Sequence, residues 1–286
     1  MSLVAPGIVL AATPIGDPAD ASDHLRALLA TADLVAAEDT RRLRDLARRL
    51  GVKVAGRVVS FYDHNERARL PLLLEQARAG LVVVVSDAGM PLISDPGFPL
   101  VRAAIDADIP VTCAPGPSAV LTALALSGLP TDRFAFDGFV PRTAAGRAEW
   151  LDRLGGEQRT VVAFESARRV GATLADAADR LGSDRPAVVA RELTKPHQEL
   201  IRGTLGELAT VVASRELKGE VTLVIGAPVV KATPDAAALV ELVRQVERRV
   251  GAGAGLKEAV AVVAETASLS KRALYEAVLE GRRAEH

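Results

Sequence analysis

Between Gly7 and Ala114 the sequence places five short runs of β-branched and small apolar residues, and the segments joining them are long enough to form helices. That alternation constrains the chain more than any other feature. Antiparallel neighbours can be joined by a two-residue turn, whereas parallel strands need a crossover of a dozen or more residues, usually a helix. The runs Gly7 to Ala12, Leu34 to Ala37, Val58 to Phe61, Leu81 to Val85 and Val111 to Ala114 therefore predict a parallel sheet with helices on its faces. Leu81 to Val85 reads LVVVV without a polar residue, as expected of a strand buried on both sides. The intervening helices are expected over Ser22 to Ala32, Thr40 to Leu50, Glu66 to Ala79 and Phe98 to Ala107, with Ser22 or Asp23 capping the first.

The break Pro115-Gly116-Pro117 ends this first α/β domain, taken as residues 1–115. A second, taken as 116–230, opens with a helix from Ser118 to Leu126. Strands are expected at Phe134 to Phe139, Thr160 to Phe164, Ala187 to Arg191 and Glu220 to Ile225, and helices at Ala145 to Leu154, Val170 to Leu181 and Thr204 to Ala213. The spacing is less regular, so a mixed sheet is expected here. Lys231 to Pro234 reads as a linker to a helical appendage, 235–286, with helices at Ala236 to Val250, Leu256 to Thr266 and Lys271 to Glu280. The last two resemble a helix-turn-helix, with Ser270 as a cap. With Lys271, Arg272, Tyr275, Arg282 and Arg283 that pair is expected to offer phosphate contacts; a packing or dimerisation appendage is the alternative.

Composition narrows the function classes. With 286 residues, 49% of them hydrophobic and 25% charged, the chain is expected to be soluble and globular rather than disordered or fibrous. One cysteine, Cys113, excludes an internal disulfide and a multi-cysteine metal site, and fits a reducing cytoplasm. No Lys or Arg precedes Arg26, so the apolar opening reads as a buried strand rather than a signal peptide, and no run approaches the roughly 20 residues of a membrane span. The four histidines, His24, His64, His197 and His286, are too scattered to suggest a metal site. A net charge of −1 argues against a surface that holds nucleic acid everywhere. A local excess does exist: Arg41, Arg42, Arg44, Arg48 and Arg49 crowd nine positions against Asp45 alone. Those arginines are either a solvated helix face or a site for an anionic partner.

In open α/β sheets ligands sit beyond the carboxyl ends of the strands, so the turns there carry the functional signal. Four are rich in Gly, Pro, Ser and Asp: Thr13 to Asp17, Glu38 to Arg41, Ser86 to Gly97 and Pro115 to Ala119. Neither G-x-G-x-x-G nor G-x-x-x-x-G-K-[ST] occurs, which argues against a usual dinucleotide fold and a P-loop. The ordered strings TPIGD, AAEDTRR, DHNE, VSDAGMPLISDPG, PGPSA, GLPTDRFAFDGF, FESARR, ARELTK and KGE resemble the tetrapyrrole methylase superfamily. Within it they are most similar to the branch that methylates the ribose 2′-hydroxyl of a cytidine in the decoding centre of small-subunit (16S) ribosomal RNA. The sequence departs from that pattern at Met90, where Thr is usual, at Asp17, where Asn is usual, and at Ala167-Arg168, where a histidine commonly precedes the arginine.

The resemblance implies two α/β domains of the tetrapyrrole methylase type, S-adenosylmethionine held between them, and a homodimer. It places the cofactor against Pro14 and Gly16, against Asp87, Ala88, Gly89, Met90, Pro91 and Ile93, against Ser118 and Ala119, and against Glu165, Leu193 and Thr222. Ser118 equally fits a helix cap. Methyl transfer to a hydroxyl needs mainly alignment, helped by a base or a charge, and the candidates are Asp39, His64, Glu192 and Lys195. Each has a structural alternative: a cap for Asp39, a loop brace for His64, an ion pair for Glu192 and Lys195. Arg41, Arg42, Asn65, Lys271 and Arg272 are expected to contact RNA or to serve the structure. With nine aromatic residues in the chain, recognition is expected to lean on shape, phosphates and the 2′-hydroxyl, on free RNA or an assembled small subunit. A small tetrapyrrole substrate, or a cofactor-sensing RNA-binding module without turnover, are the competing readings.

Overall fold

The computed structural model describes residues 6–228, 236–267 and 271–284. The expected linker at Lys231 to Pro234 and the expected cap Ser270 lie outside them. The first sheet comprises β1 (Gly7–Ala11), β2 (Leu34–Ala37), β3 (Arg57–Ser60), β4 (Leu81–Val85) and β5 (Val111–Ala114). All its pairings are parallel, in the order β3-β2-β4-β1-β5. Residues alternate between its two faces, and that period of two builds two cores. Val9, Ala11, Val35, Val83 and Val85 pack against Leu25, Leu28 and Leu29 of α1 (Asp23–Thr31) and Leu43 and Leu50 of α2 (Thr40–Leu50). On the other face Ile8, Leu34, Val82 and Val84 meet Leu73 and Ala77 of α3 (Glu66–Ala79) and Leu100 and Ala104 of α4 (Phe98–Asp106). The strand β4, one leucine and four valines, is buried throughout because it has a helix layer on each side.

The chain leaves this sheet through α5 (Ala119–Ser127), whose N-cap Ser118 accepts from the Leu121 N–H at 3.5 Å. The second sheet comprises β6 (Phe134–Phe139), β7 (Thr160–Ser166), β8 (Pro186–Arg191), β9 (Glu199–Thr204) and β10 (Glu220–Ile225), in the order β6-β7-β10-β8-β9. Only β6 and β7 run parallel; the other pairings are antiparallel, so the sheet is mixed, as expected. Its strand β9 was not expected. It is an edge strand, half-buried along its length and interrupted by Glu199, Arg202 and Gly203, so it carries no apolar alternation to read. One face packs on α6 (Ala144–Leu154), α7 (Val170–Leu181) and α8 (Leu205–Ala213). The other face, with Val162, Val188 and Val224, packs on Val120, Ala123 and Leu124 of α5, and Ile15 from the first lobe joins the same core.

The described residues up to 228 form one compact unit and those from 236 onward another. In the second, α9 (Ala236–Gly251), α10 (Leu256–Thr266) and α11 (Lys271–Ala284) enclose Val246, Val260, Val263, Leu274 and Val278. No helix among the described residues is long and apolar enough to cross a membrane.

Candidate functional site

The turns rich in Gly, Pro and Asp meet, and hydrogen bonds between them explain how. Thr13 and Gly89 exchange backbone bonds of 2.9 and 3.0 Å, which fastens the turn after β1 to the one after β4. Gly89 sits at φ +84°, a conformation a side chain resists. The turn after β2 is latched to the same loop: the Asp87 N–H donates to Glu38 Oε2 at 3.1 Å, and the Asp39 N–H donates to Asp87 Oδ1 at 3.0 Å. Across the seam, the Asp17 N–H donates to Thr194 Oγ1 at 3.1 Å. A Cβ at Gly16 would lie 2.6 Å from Lys195 Cγ and Thr194 Oγ1 and 2.8 Å from the Leu193 carbonyl oxygen, so only glycine permits this approach. Glu192 and Thr194 themselves take left-handed backbone, φ 50° and 61°, to present that surface.

Two adjoining cavities result. The larger, about 730 Å³, lies between the lobes. The first lobe supplies Asp87, Ala88, Gly89, Met90, Ile93 and Asp95, the joint supplies Ser118 and Ala119, and the second lobe supplies Phe139, Phe164, Glu165 and Thr222. The smaller, about 590 Å³, is lined by Pro14, Gly16, Asp39, Arg41, Arg42, Arg49 and Lys195. Ile15, Arg42, Asp87, Ala88 and Glu220 belong to both.

Nine of the residues expected at the cofactor thus share the larger cavity: Asp87, Ala88, Gly89, Met90, Ile93, Ser118, Ala119, Glu165 and Thr222. Pro14 and Gly16 face the smaller one. Pro91 is buried away from both, and Leu193 packs in the core beside Ile15. The Glu165 side chain is fully enclosed, accepting from the Ser166 N–H, from Arg169 and from the Thr173 hydroxyl. It braces Arg169, whose guanidinium caps the Val140 and Pro141 carbonyls.

The four acid–base candidates are tuned differently from one another. Hydrogen bonds from the Arg41 side chain and backbone hold Asp39 well below the usual carboxylate range. Burial pushes Glu192 up, but its bonds from Lys195 and the Glu220 N–H outweigh it and leave the carboxyl lowered. Burial would pull Lys195 down, yet Glu192 and Glu220, each 2.8 Å from Nζ, raise it, so the ammonium keeps its proton. His64 is exposed, edge-on to Tyr62, and lines neither cavity. Asn65 is tied to Ser60 and to the Tyr62 N–H. Lys271 is exposed at the start of α11 in the separate helical unit, and the Arg272 side chain lies outside the described residues.

Sequence reasoning missed Asp95 and the aromatic wall. Burial, then the nearby charge of Glu38, pushes Asp95 up to about 7, and burial also raises Glu38 and Asp87. Phe139 and Phe164 stand with ring centroids 5.3 Å apart in the same cavity. Both lie inside the quoted strings, but nothing in the residue pattern separates them from core positions. The arginines of α2 are all exposed. Arg41 and Arg42 are 86% and 64% exposed, whereas their partners Asp39 and Asp87 are 27% and 23% exposed, so the cations project outward over the carboxylates.

An open parallel lobe joined to a mixed lobe, with a two-lobed cavity beyond the strand ends, is the architecture of a methylase of the tetrapyrrole type. The family model described as Tetrapyrrole (Corrin/Porphyrin) Methylases matches residues 7–209, and the chain belongs to that family of methyltransferases. It is 52% identical over 278 residues to the ribosomal RNA small subunit methyltransferase I of Mycobacterium tuberculosis, covering 96% of this chain and 95% of that one. To the protein of the same name from Escherichia coli O157:H7 it is 38% identical over 274 residues, covering 94% and 93%. Among solved structures, the methyltransferase CobJ superposes with a TM-score of 0.59 at 18% identity, covering 78% of this chain and 95% of that one. Uroporphyrin-III C-methyl transferase from Thermus thermophilus complexed with S-adenyl homocysteine gives 0.54 at 23%, covering 77% and 97%. These two likenesses concern the fold.

Proposed function

We propose that this chain transfers a methyl group from S-adenosylmethionine to the ribose 2′-hydroxyl of a cytidine in small-subunit (16S) ribosomal RNA. The observation that carries this reading is the pair of cavities meeting at one wall, one suited to a cationic, aromatic donor and the other rimmed by outward-facing arginines. The larger cavity fits the donor by size and by chemistry. Its volume lies within the usual range for small-molecule sites. Carboxylates of Glu38, Asp87 and Asp95 at one end suit a sulfonium and an ammonium, and Phe139 and Phe164 offer flat apolar surface for a purine. When bound, the donor supplies an activated methyl group.

The protein's own part is to align and to accept a proton. Gly89 and the turn after β1 hold the donor side fixed, which is the larger share of the rate gain in a displacement of this kind. Asp39 and Glu192 are too weakly basic and Lys195 is already protonated. Asp95, in the cavity wall and tuned near neutrality, is the carboxylate best placed to take the hydroxyl proton. The lysine's retained charge favours a developing alkoxide. The division into domains 1–115, 116–230 and 235–286, a homodimer and a cytoplasmic location belong to this reading.

The test is to incubate the protein with radiolabelled donor and unmodified small ribosomal subunits, then map ribose methylation at nucleotide resolution. Label on one cytidine 2′-oxygen is expected. Label only on an added tetrapyrrole, or no product in a single turnover, would overturn the proposal in favour of a small-molecule methylase or a non-catalytic binding module.

A further inference from the structure

Arg42 occupies the wall between the two cavities, and its only ion pair among the described residues is with Asp87, 3.2 Å from Nη1 to Oδ2. The other Asp87 oxygen is engaged, accepting from the Asp39 N–H at 3.0 Å. Among the described residues, Asp87 Oδ2 is therefore the one carboxylate oxygen lining both cavities whose partner is a largely exposed cation. An ion pair so exposed is weak, because water screens the attraction and ordering a long side chain opposes it. A backbone phosphate, a monoanion like the carboxylate, offers the same guanidinium two free oxygens and so a bidentate pairing in place of the single contact to Asp87. The donor is a cation, and Asp87 faces its cavity.

From this geometry we infer that Arg42 couples the two cavities: a phosphate of the acceptor strand draws the Arg42 guanidinium away from Asp87, and the released carboxylate then holds the cationic donor more tightly. This rests on the donor and acceptor assignment above. Arg42 acts here as a positioning residue toward the donor, through Asp87. Coupling of this kind is reciprocal, so the donor strengthens acceptor binding by the same factor that the acceptor strengthens donor binding. The device gives order to the encounter. Without RNA the donor site is held at reduced affinity by the protein's own arginine; with RNA in place it is switched to full strength.

The experiment is equilibrium dialysis of a radiolabelled, non-transferring donor analogue that carries an amine in place of the sulfonium, and so keeps the cation, against the full chain, with and without saturating small ribosomal subunits. For the wild type, subunits are expected to tighten binding on the order of tenfold. In Arg42→Ala the ligand alone is expected to bind as tightly as it does to the wild type with subunits, and adding subunits changes nothing. Arg42→Gln, which keeps the stem and removes the charge, is expected to behave alike and guards against a packing effect. In Asp87→Asn binding is weak under both conditions. A merely structural arginine would give the opposite sign, weaker binding of the ligand alone. Wild-type coupling retained in both Arg42 variants overturns the inference, as does a wild type without coupling that still methylates subunits. A wild type that methylates no ribosomal RNA overturns the functional reading beneath it, which is a separate outcome.

Discussion

At Gly16 a single hydrogen atom decides whether the lobes meet. A methyl there would press on Thr194, Lys195 and the Leu193 carbonyl, and backbone cannot yield as a side-chain tip can. Gly16→Ala is expected to cost about 1–3 kcal/mol, the usual range for overpacking, read as a shifted urea midpoint, with loss of methyl transfer. Asp95 gives a prediction with two opposite slopes. Its carboxyl lies near Glu38, Asp87 and Asp63 and titrates at about 7 in the fold, against roughly 3.9 in an unfolded chain. Between those values the folded protein binds the extra proton, so this group's contribution to stability falls as pH rises from 4 to 7. As the proton acceptor it must be ionised, so turnover rises over the upper part of the same interval. Asp95→Asn is expected to flatten both: melting temperature changes less between pH 5 and 8, and the activity rise through pH 7 disappears. The sequence names Asp95 only as part of a turn. Its tuning depends first on burial and then on carboxylates that arrive from the turns after β2 and β3, and both are properties of the packed sheet.

Elements were legible where pattern and packing agree. Parallel strands β1, β2 and β4 announce themselves because each is apolar along its length, and capping residues such as Ser22 and Thr204 mark helix starts. The edge strand β9 was not, since half of its surface faces solvent. Nor was the turn from Glu192 to Thr194, whose left-handed residues are held by Asp17 and Glu220 rather than by any local preference. A buried arginine shows the same dependence. Arg185 is 1% exposed and donates to the carbonyls of Gly226 and Leu154 at 2.8 Å and of Glu157 at 3.2 Å, tying the starts and ends of β8, β10 and α6 together. Arg185→Met leaves the Gly226 and Glu157 carbonyls without this donor, while the Leu154 carbonyl keeps the Glu157 N–H at 3.2 Å, and is expected to cost roughly 2 kcal/mol, about 1 kcal/mol for each lost bond, measured by denaturant titration.

At the scale of the molecule, the division after Pro228 sets what can be removed. A chain ending at residue 228 is expected to unfold cooperatively and to bind S-adenosylhomocysteine as the full chain does, because every residue of both cavities precedes that point. Broken cooperativity in calorimetry, or lost binding, would show that the helical unit supports the site. The site as a whole was half visible in the sequence. Its turns could be found from Gly, Pro and Asp, but the wall shared by two cavities arises only when strands distant in the chain become neighbours. One detail of that wall governs how the protein moves. Ile15, 7% exposed, leaves the first lobe and is seated among Val120, Leu124, Val162, Val188 and Val224. Swinging the lobes apart would drag an aliphatic side chain into water at a cost of about 1.5–3 kcal/mol, so the lobes are expected to stay together as ligands come and go. Spin labels on Arg102 and Arg180, one per lobe, should report the same separation with and without ligand: molecules enter by a standing doorway, and whatever selects among them is built into its frame.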